Sequence, residues 1–209
     1  MARRKDADKR QLILGEAKRM FADRGYDGTS MGGLAGRIGI PVGSLYTYFD
    51  SKEVLLNTII EEGWNDFSRY LERGLSGGEG GSGREPPLSR LAFLVRRALP
   101  ELFDDIDLIA ILLAQADSGS RLGEKLEHMA TLITSIIADY RKRGGEIFAM
   151  EIPTLRAGLA VMLLGSLESI RLIHRTGIDL AAGDVIAFLV STVESALGCS
   201  LPDVGEWRA

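Results

Sequence analysis

Between residues 25 and 55 the sequence reads GYDGTSMGGLAGRIGIPVGSLYTYFDSKEVL, and this stretch decides the fold. Thr29 and Ser30 are both good N-cap residues for a short helix that continues to residue 37. Gly39-Ile40-Pro41 then breaks the chain, because glycine tolerates a left-handed turn and proline favours entry into a new helix. Residues 42–49 can form that helix. The stretch therefore predicts two short helices joined by a tight turn that contains glycine.

Apolar residues recur at three- and four-residue spacing along nearly the whole chain, and no run alternates as a half-buried strand would. This pattern predicts an all-α protein of about nine helices, at residues 8–24, 30–37, 42–49, 52–73, 88–99, 105–117, 120–143, 153–175 and 179–197. Helix stops are expected at Gly25, Gly144, Gly177 and Gly198. The glycine-rich stretch at 76–87 is expected to be a mobile loop, because fixing its backbone would cost much conformational entropy.

The first three helices share one set of apolar positions. They are expected to pack into a small core made of Ile13, Ala17, Phe21, Leu34, Ile38, Leu45 and Phe49.

Charge is distributed unevenly along the 209 residues, whose formal net charge is −4. Residues 1–52 hold ten Lys/Arg and six Asp/Glu, which gives +4, whereas residues 53–209 carry −8. Binding to nucleic acid depends on the local field and not on the total charge. A basic amino-terminal part is therefore compatible with nucleic-acid binding, although charged helix faces can also be merely solvated.

Few other chemistries fit the composition. The single cysteine, Cys199, excludes an internal disulfide, and neither His128 nor His174 has a partner at metal-binding spacing, so no metal or cofactor is expected. The amino terminus is charged, unlike a signal peptide. The longest uncharged run of the carboxy-terminal half, residues 157–167, is much shorter than the roughly 20 residues that span a bilayer. We therefore expect a cytoplasmic protein without catalytic motifs.

The segment quoted above strongly resembles the signature of the tetracycline-repressor (TetR) family. The marks stand at the family's spacing without a gap, and they are Thr29-Ser30, Leu34-Ala35, Gly39, Leu45-Tyr46, Tyr48-Phe49 and Ser51-Lys52-Glu53. The resemblance covers residues 8–60, and beyond them only helix number and length are similar. It implies a helix-turn-helix DNA-binding domain over residues 1–52 and a ligand-binding and dimerisation domain over residues 53–209.

The function implied by the resemblance is that of a ligand-responsive transcriptional repressor. It would bind a palindromic operator in double-stranded DNA as a homodimer, and a small hydrophobic or amphipathic inducer would release it. Two other functions stay open. A non-inducible architectural DNA-binding protein would show weak sequence preference, and a helical enzyme would need turnover that depends on acids such as Glu168. An activator is a variant of the first function.

By resemblance, the helix at 42–49 is the recognition helix that enters the major groove. It lacks Arg, Asn and Gln, so base reading would depend on Val42, Thr47 and Tyr48, or on DNA shape. Hydroxyl groups and Lys52 are expected to contact phosphates, with partial core burial as the alternative for Tyr46 and Tyr48. The expected DNA-binding residues are Ser30, Val42, Gly43, Ser44, Tyr46, Thr47, Tyr48 and Lys52.

Three features qualify this interface. Arg3, Arg4 and Lys5 are expected to form a disordered arm, which either reaches a groove or adds nonspecific attraction. The second helix contains Gly32, Gly33 and Gly36, each costing about 1 kcal/mol relative to alanine, so it must depend on packing or on DNA for order. Pro41 stands where the family pattern often has Ser or Thr, which removes one possible cap.

The resemblance also implies a ligand pocket among the helices at 88–175, and the candidate lining combines adaptable apolar surface with a little polarity. Those candidates are Phe93, Phe103, Leu112, Met129, Ile133, Met162 and Ser166, for which plain core packing is an equally good explanation. The last two helices carry apolar stripes wider than one core contact needs. Gly158, Gly165 and Ser166 would permit close helix approach, so the homodimer is expected to form through these helices.

Overall fold

The computed structural model describes residues 2–76, 86–114, 121–145, 152–176 and 181–203. Within these ranges the regular structure is entirely helical, which confirms the all-α prediction. The helices are α1 (Ala2–Arg24), α2 (Met31–Ile38), α3 (Val42–Tyr46), α4 (Lys52–Leu75), α5 (Pro87–Phe93), a π-helical turn (Leu94–Ala98), α6 (Leu99–Asp104), α7 (Ile106–Ala114), α8 (Arg121–Lys142), α9 (Ile152–Thr176) and α10 (Ala182–Leu197). The segments from Pro87 to Asp104 follow one another without a break. Counting them as one helix gives nine in the described ranges, as predicted.

The chain divides into two compact units. The first comprises Met1–Asp66 and Asp107–Asp117, and the second comprises Phe67–Ile106 and Ser118–Ala209. Helix α4 is continuous from Lys52 to Leu75 and so contributes to both units. The predicted boundary between a DNA-binding domain and a ligand-binding domain, after residue 52, falls at the start of this helix. It stays a prediction.

The core of the first unit joins α1, α2 and α3. Ala17 and Leu45 are fully buried, and Leu34 and Phe49 are almost completely so. Of the seven predicted core residues six are buried, and Ile38 at the end of α2 is half-buried. Burial of one leucine or phenylalanine side chain is worth about 1.5–3 kcal/mol. This shared core therefore stabilises α2 and α3, which are too short to be stable alone.

Local hydrogen bonds set the two ends of α2. The Ser30 side-chain oxygen accepts a hydrogen bond from the Gly33 N–H at 3.0 Å and caps the first turn. At the other end Gly39 has φ 77°, and its N–H donates to the Ala35 carbonyl at 2.9 Å. Side chains with a Cβ rarely adopt this left-handed conformation, so glycine is the residue that ends the helix here.

Two boundaries among the first three helices differ from prediction by more than one residue. Helix α1 begins at Ala2, not at residue 8, so the prediction of a disordered arm is wrong for Arg3, Arg4 and Lys5, whose backbone is helical. Arginine and lysine are good helix formers, and extending a helix costs far less than starting one. Helix α3 ends at Tyr46, not at residue 49. The Tyr48 N–H bonds to the Leu45 carbonyl only three residues back, at 3.0 Å, so the chain tightens into a turn there.

The second unit contains the end of α4, α5 with its π-helical turn, α6, α8, α9 and α10. Its core includes the fully buried Ile136 and Ile170. The Phe93 ring is 2% exposed and packs with the Tyr70 ring, their centroids 5.5 Å apart. The helix predicted over residues 88–99 continues to Asp104, and its π-helical turn is a feature that periodicity alone does not reveal.

Close packing leaves no room for a side chain at Gly74. A Cβ built there would overlap the Phe93 ring, so Gly74→Ala is expected to destabilise the second unit by about 1–3 kcal/mol, as overpacking usually does. Gly123→Ala in α8 is the matched control, because a Cβ there meets nothing within 4 Å. The control should gain up to about 1 kcal/mol of helix propensity. Urea unfolding curves measure both, and equal effects of the two substitutions would contradict the packing argument.

The helix stops at Gly144 and Gly198 are confirmed by their φ values of 84° and 65°. Gly177 and most of the predicted loop at 76–87 lie outside the described residues. Among the helices in the described ranges, none is both long and apolar enough to cross a membrane.

Candidate nucleic-acid interface and ligand cavity

Helix α3 presents an uncovered face at the surface of the first unit. Val42 is 45% exposed and Tyr46 is 49% exposed, and Gly43 and Thr47 are exposed beside them. Leu45 lies between them in sequence and is fully buried, which anchors the helix to the core. Val42, Gly43 and Tyr46 are therefore brought together on one helix, and Thr47 follows directly after its end, a geometry that suits insertion into a groove.

The hydroxyl groups near α2 and α3 differ in whether their hydrogen is already used in a hydrogen bond within the protein. A hydroxyl has one hydrogen and two lone pairs. The exposed Ser30 uses its oxygen as an acceptor for the cap, so its hydrogen is available to an external acceptor. Thr47 donates its hydrogen to the Ser44 carbonyl at 2.7 Å. Thr47 can therefore offer its methyl group and a lone pair, whereas Ser30 can donate to a phosphate.

Lys52 is held by contacts within the first unit. Its ammonium group donates to the Tyr26 carbonyl at 2.7 Å and to the Thr29 carbonyl at 2.9 Å. The same nitrogen lies 3.9 Å from the centroid of the Tyr26 ring, which adds a cation–π contact. Lys52 thus links the amino terminus of α4 to the turn between α1 and α2. The sequence predicts a phosphate contact for this side chain and gives no sign of this internal one.

Thr29 completes the same junction. It is 2% exposed, and its hydroxyl lies 2.9 Å from the Gly25 carbonyl and 3.2 Å from the Met20 carbonyl at the end of α1. The Gly25 carbonyl lies just past the end of α1, so the hydroxyl supplies it with a hydrogen bond where the helix no longer does. Sequence reasoning treats Thr29 only as an alternative cap for α2. Its position four residues after the helix-stopping Gly25 is the signal that could have indicated this role.

Tyr48 is half-buried and is held by two charged residues of α1. Its hydroxyl donates a hydrogen bond to the Asp6 carboxylate, 42 residues earlier in the chain. The Lys9 ammonium lies over the ring, 5.7 Å from its centroid. The hydrogen bond to Asp6 raises the pKa of Tyr48, with desolvation acting in the same direction. The sequence predicts a role for Tyr48 in DNA binding and does not reveal its partner Asp6.

A second charged group connects α1 to α2. Arg37 donates to the Glu16 carboxylate at 2.8 Å and Arg19 donates to it at 2.6 Å. The hydrogen bond from Arg37 is the largest effect, and it lowers the pKa of Glu16 despite some desolvation. Glu16 is therefore ionised at neutral pH and holds Arg37 against α1.

The second unit contains an apolar cavity of about 130 Å³. Its lining belongs to α5, the π-helical turn, α6, α8, α9 and α10, and Thr192 is the only polar residue among the described residues that line it. The Thr192 hydroxyl already donates to the Phe188 carbonyl at 2.8 Å. The lining residues are Leu91, Leu94, Val95, Leu99, Met129, Ile133, Ile137, Leu155, Leu159, Met162, Leu163, Leu189, Thr192, Val193, Ala196 and Leu197.

Three of the seven predicted pocket residues, Met129, Ile133 and Met162, line this cavity. The other four are buried but do not appear in its lining. Phe93 packs on Tyr70, and Phe103 is buried in α6. Leu112 belongs to α7 in the first unit, and the Ser166 hydroxyl donates to the Met162 carbonyl. Sequence reasoning missed the α10 part of the lining.

Helices α9 and α10 each expose large apolar side chains. Val161 on α9 is 72% exposed and Phe188 on α10 is 67% exposed. Gly158 and Gly165 lie on the exposed side of α9, and a Cβ at either would meet nothing within 4 Å in this chain. Their small size is therefore not required by packing within the described part of the chain.

The match of one segment to a known family decides what this arrangement represents. Residues 13–59 match the family described as bacterial regulatory proteins, tetR family. This segment of the chain is a TetR-family segment. The matched segment runs from α1 into α4 and contains all of α2 and α3. The comparison therefore confirms the resemblance inferred from the sequence, and α3 lies within the matched segment.

Curated transcriptional regulators are similar to part of the chain. One is the HTH-type transcriptional repressor KstR2 of Rhodococcus jostii (strain RHA1), which is 39% identical over 70 residues, covering 33% of this chain and 34% of that protein. Across the curated relatives with significant matches, the aligned segments cover between 22% and 39% of the relatives' own lengths. The sequence similarity is thus confined to a part of each protein.

Solved structures extend the likeness to the second unit. The ketosteroid transcriptional regulator KstR2 of Mycobacterium tuberculosis has a TM-score of 0.70 and 19% identity, covering 90% of this chain and 93% of that one. FadR from Bacillus subtilis, solved in complex with stearoyl-CoA, has a TM-score of 0.66 and 19% identity, covering 90% and 97%. At this identity the likeness shows that the fold is that of TetR-family regulators. In the described ranges, no three His, Cys, Asp or Glu side chains are grouped as a metal site.

Proposed function

We propose that this chain is a ligand-responsive transcriptional repressor of the cytoplasm. It binds a palindromic operator as a homodimer, and a small hydrophobic or amphipathic inducer releases it. Residues 1–52 bind DNA, and residues 53–209 bind the inducer and dimerise. The observation that carries the proposal is the exposed face of α3 within the family-matched segment, where Val42 and Tyr46 lie uncovered around the buried Leu45.

Base reading on this interface is assigned to Val42, Gly43 and Thr47. Val42 and the Thr47 methyl group suit apolar contact with thymine methyl groups. A Cβ at Gly43 would meet nothing within 4 Å, so its absence lets the helix backbone approach a base edge closely. None of these side chains makes a bidentate contact to a base. Recognition therefore depends in large part on operator shape and on the spacing of two half-sites.

Phosphate contacts are assigned to Ser30, Ser44, Tyr46 and Tyr48, which carry hydroxyl donors around the reading face. Tyr46 is more exposed than Tyr48, so a phosphate can approach its hydroxyl without displacing another side chain. Lys52 has three N–H donors, of which two bond to the carbonyls of Tyr26 and Thr29. It acts mainly by holding the junction at which the helices meet, and we assign its third donor and its charge to attraction of the phosphates.

The dimer is assigned to the exposed faces of α9 and α10. Large apolar side chains such as Val161 and Phe188 are costly to leave in water, and a second copy of the same face would cover them. Gly158 and Gly165 support this assignment. Packing within the described part of the chain does not require small residues at these positions, and small residues permit close approach of a partner helix. Both heads of such a dimer can bind successive major grooves of a palindrome.

The inducer site is assigned to the apolar cavity lined by Met129, Ile133 and Met162. The lining carries no charged residue, and its one hydroxyl, from Thr192, is already a donor to a backbone carbonyl. A charged or strongly polar group placed there would lose its hydration without compensation. The part of the inducer inside the cavity is therefore hydrocarbon, and any polar group lies outside it.

The size of the cavity limits what enters it without rearrangement. An apolar cavity of about 150 Å³ holds one benzene molecule in another protein, so about 130 Å³ admits a group of similar size. A long acyl chain, such as that of the stearoyl-CoA bound by the Bacillus subtilis FadR, would require the cavity to enlarge. The ligand releases DNA if it binds more tightly to a conformation that does not fit the operator. The loss of operator affinity is then limited by the ratio of the ligand's affinities for the two conformations.

Filling the cavity is expected to abolish inducer binding while leaving DNA binding intact. Ile133→Trp places a large ring in the space, with Ile133→Phe as a milder version if tryptophan unfolds the unit. Benzene should raise the melting temperature of the wild type and have no effect on the filled variant. Thr131→Trp, on the exposed side of the same helix, should keep the benzene shift. A shift that survives filling would show that benzene binds elsewhere.

The repressor function is tested by DNA binding and by transcription. Fluorescence anisotropy over a series of KCl concentrations should show tighter binding to the intergenic DNA beside the gene than to random duplex. Deletion of the gene should raise transcription of its targets. Equal affinity for both duplexes would instead indicate an architectural DNA-binding protein, and lower transcription after deletion would indicate an activator.

A further inference from the structure

The hydroxyl of Tyr48 has only one hydrogen, and that hydrogen is already used. It is donated to the carboxylate of Asp6. Phosphate oxygens accept hydrogen bonds and cannot donate them, so Tyr48 can bind a phosphate only after it releases Asp6. In the free protein, therefore, the donor of one proposed phosphate contact is already occupied.

The charge of Asp6 adds to this effect. Its carboxylate is exposed on α1 and lies within hydrogen-bond reach of the hydroxyl that a phosphate would approach. A phosphate at that position would stand a few ångströms from a like charge, and two unit charges at about 4 Å repel measurably even in water. Lys9 lies over the ring of the same tyrosine and carries the opposite charge. Helix α1 therefore places two charges beside Tyr48, one that opposes the approach of a phosphate and one that favours it.

The geometry points to Asp6 as an electrostatic brake on DNA binding, which holds the Tyr48 hydroxyl in the free protein and opposes the arrival of a phosphate. The inference rests on the proposed function, because it concerns the same interface. The brake acts on phosphates, which every duplex carries, and so it lowers the affinity for operator and random DNA by the same factor. It leaves the preference for the operator unchanged and makes the bound repressor easier to release.

Substitution of Asp6 tests the inference with a random-sequence duplex as the probe. Asp6→Asn keeps the shape and a hydrogen-bond acceptor but removes the charge. It is expected to raise affinity about fivefold per head at low salt, with the gain shrinking as KCl screens the repulsion. Lys9→Gln is expected to change affinity in the opposite direction. Affinity measured by fluorescence anisotropy over a KCl series gives both effects.

Asp8→Asn is the matched control. Asp8 is also exposed on α1, but two residues further along and so about 200° around the helix from Asp6. The control removes the same charge from the same helix, on a different face. It is expected to change affinity less than Asp6→Asn at every KCl concentration, and by less than twofold at about 0.1 M KCl, where the Debye length is about 10 Å. Equal gains for Asp6→Asn and Asp8→Asn would overturn the inference. A loss of affinity in Asp6→Asn would also overturn it, because Asp6 would then be positioning Tyr48 for binding.

A measurement without DNA separates this inference from the proposed function. The absorbance titration of the five tyrosines should show one of them ionising at lower pH in Asp6→Asn than in the wild type or in Asp8→Asn. This follows because loss of the carboxylate removes the group that raises the pKa of Tyr48. An unchanged titration would overturn the inference even if DNA binding is confirmed. Failure of the wild type to bind any duplex would instead contradict the proposed function.

Discussion

Val161→Asp is expected to convert the proposed dimer into a monomer and to lower operator affinity more than a hundredfold. Val161 is 72% exposed, so within one chain the substitution loses almost no packing. In the dimer it would bury a charge without a partner in each copy, at a cost of several kcal/mol per charge. Two linked heads gain two to four orders of magnitude in affinity over a single head, and a monomer loses that gain. Light scattering after size exclusion should give the 22.7 kDa of one chain.

A second substitution distinguishes loss of the dimer from loss of the fold. Gly165→Leu adds a side chain where a Cβ would meet none of the described residues within 4 Å, and it replaces a poor helix former with a good one. It should therefore keep or raise the helical content of the monomer while blocking close approach of a partner helix. Thr131→Asp on the exposed side of α8 is the charge control and should remain dimeric. If both the Val161→Asp and the Gly165→Leu variants remain dimeric, the dimer interface lies elsewhere.

Much of the amino-terminal fold could be predicted because its determinants are local. Ser30 caps the helix that follows it by bonding three residues ahead, and Gly39 ends the same helix through its own φ. Such signals operate within a few residues, so a sequence displays them directly. The buried stripe that ends in Leu45 and Phe49 follows helical periodicity and is equally visible.

The contacts that the sequence did not predict join residues far apart in the chain. Tyr48 bonds to Asp6 across 42 residues, and Lys52 bonds to Tyr26 across 26. Exposed charged residues are common on every helix, and nothing in their spacing marks the pair that meets. Such pairs depend on how the helices pack, which one sequence without its structure leaves open.

The cavity shows the same limitation for apolar residues. Core and pocket linings are made from the same side chains, so Phe93 and Met129 were equally good candidates from composition. The register between α5, α8 and α9 places Met129 in the lining and packs Phe93 on Tyr70 instead. Only helix packing separates a residue that faces a cavity from one that faces a neighbour.

Lys52→Met is expected to lower the free energy of unfolding by about 2 kcal/mol. Methionine keeps the length and apolar stem of the side chain but loses two charge-assisted hydrogen bonds, to Tyr26 and Thr29, and the cation–π contact with the Tyr26 ring. The half-buried position of Lys52 keeps the loss moderate, because water can hydrate the freed carbonyls in part. DNA affinity should fall as well, since the turn before α2 and the start of α4 lose their connection.

The two roles available to Lys52 predict different combinations of results. A lysine that only contacts phosphate would leave stability unchanged on substitution and would reduce the salt dependence of DNA binding by about one phosphate contact. A lysine that holds the junction lowers the melting temperature whether or not DNA is present. Arg24→Met removes the same charge from the exposed end of α1 and should leave stability nearly unchanged. Equal melting temperatures for Lys52→Met, Arg24→Met and the wild type would leave phosphate contact as the only role of Lys52.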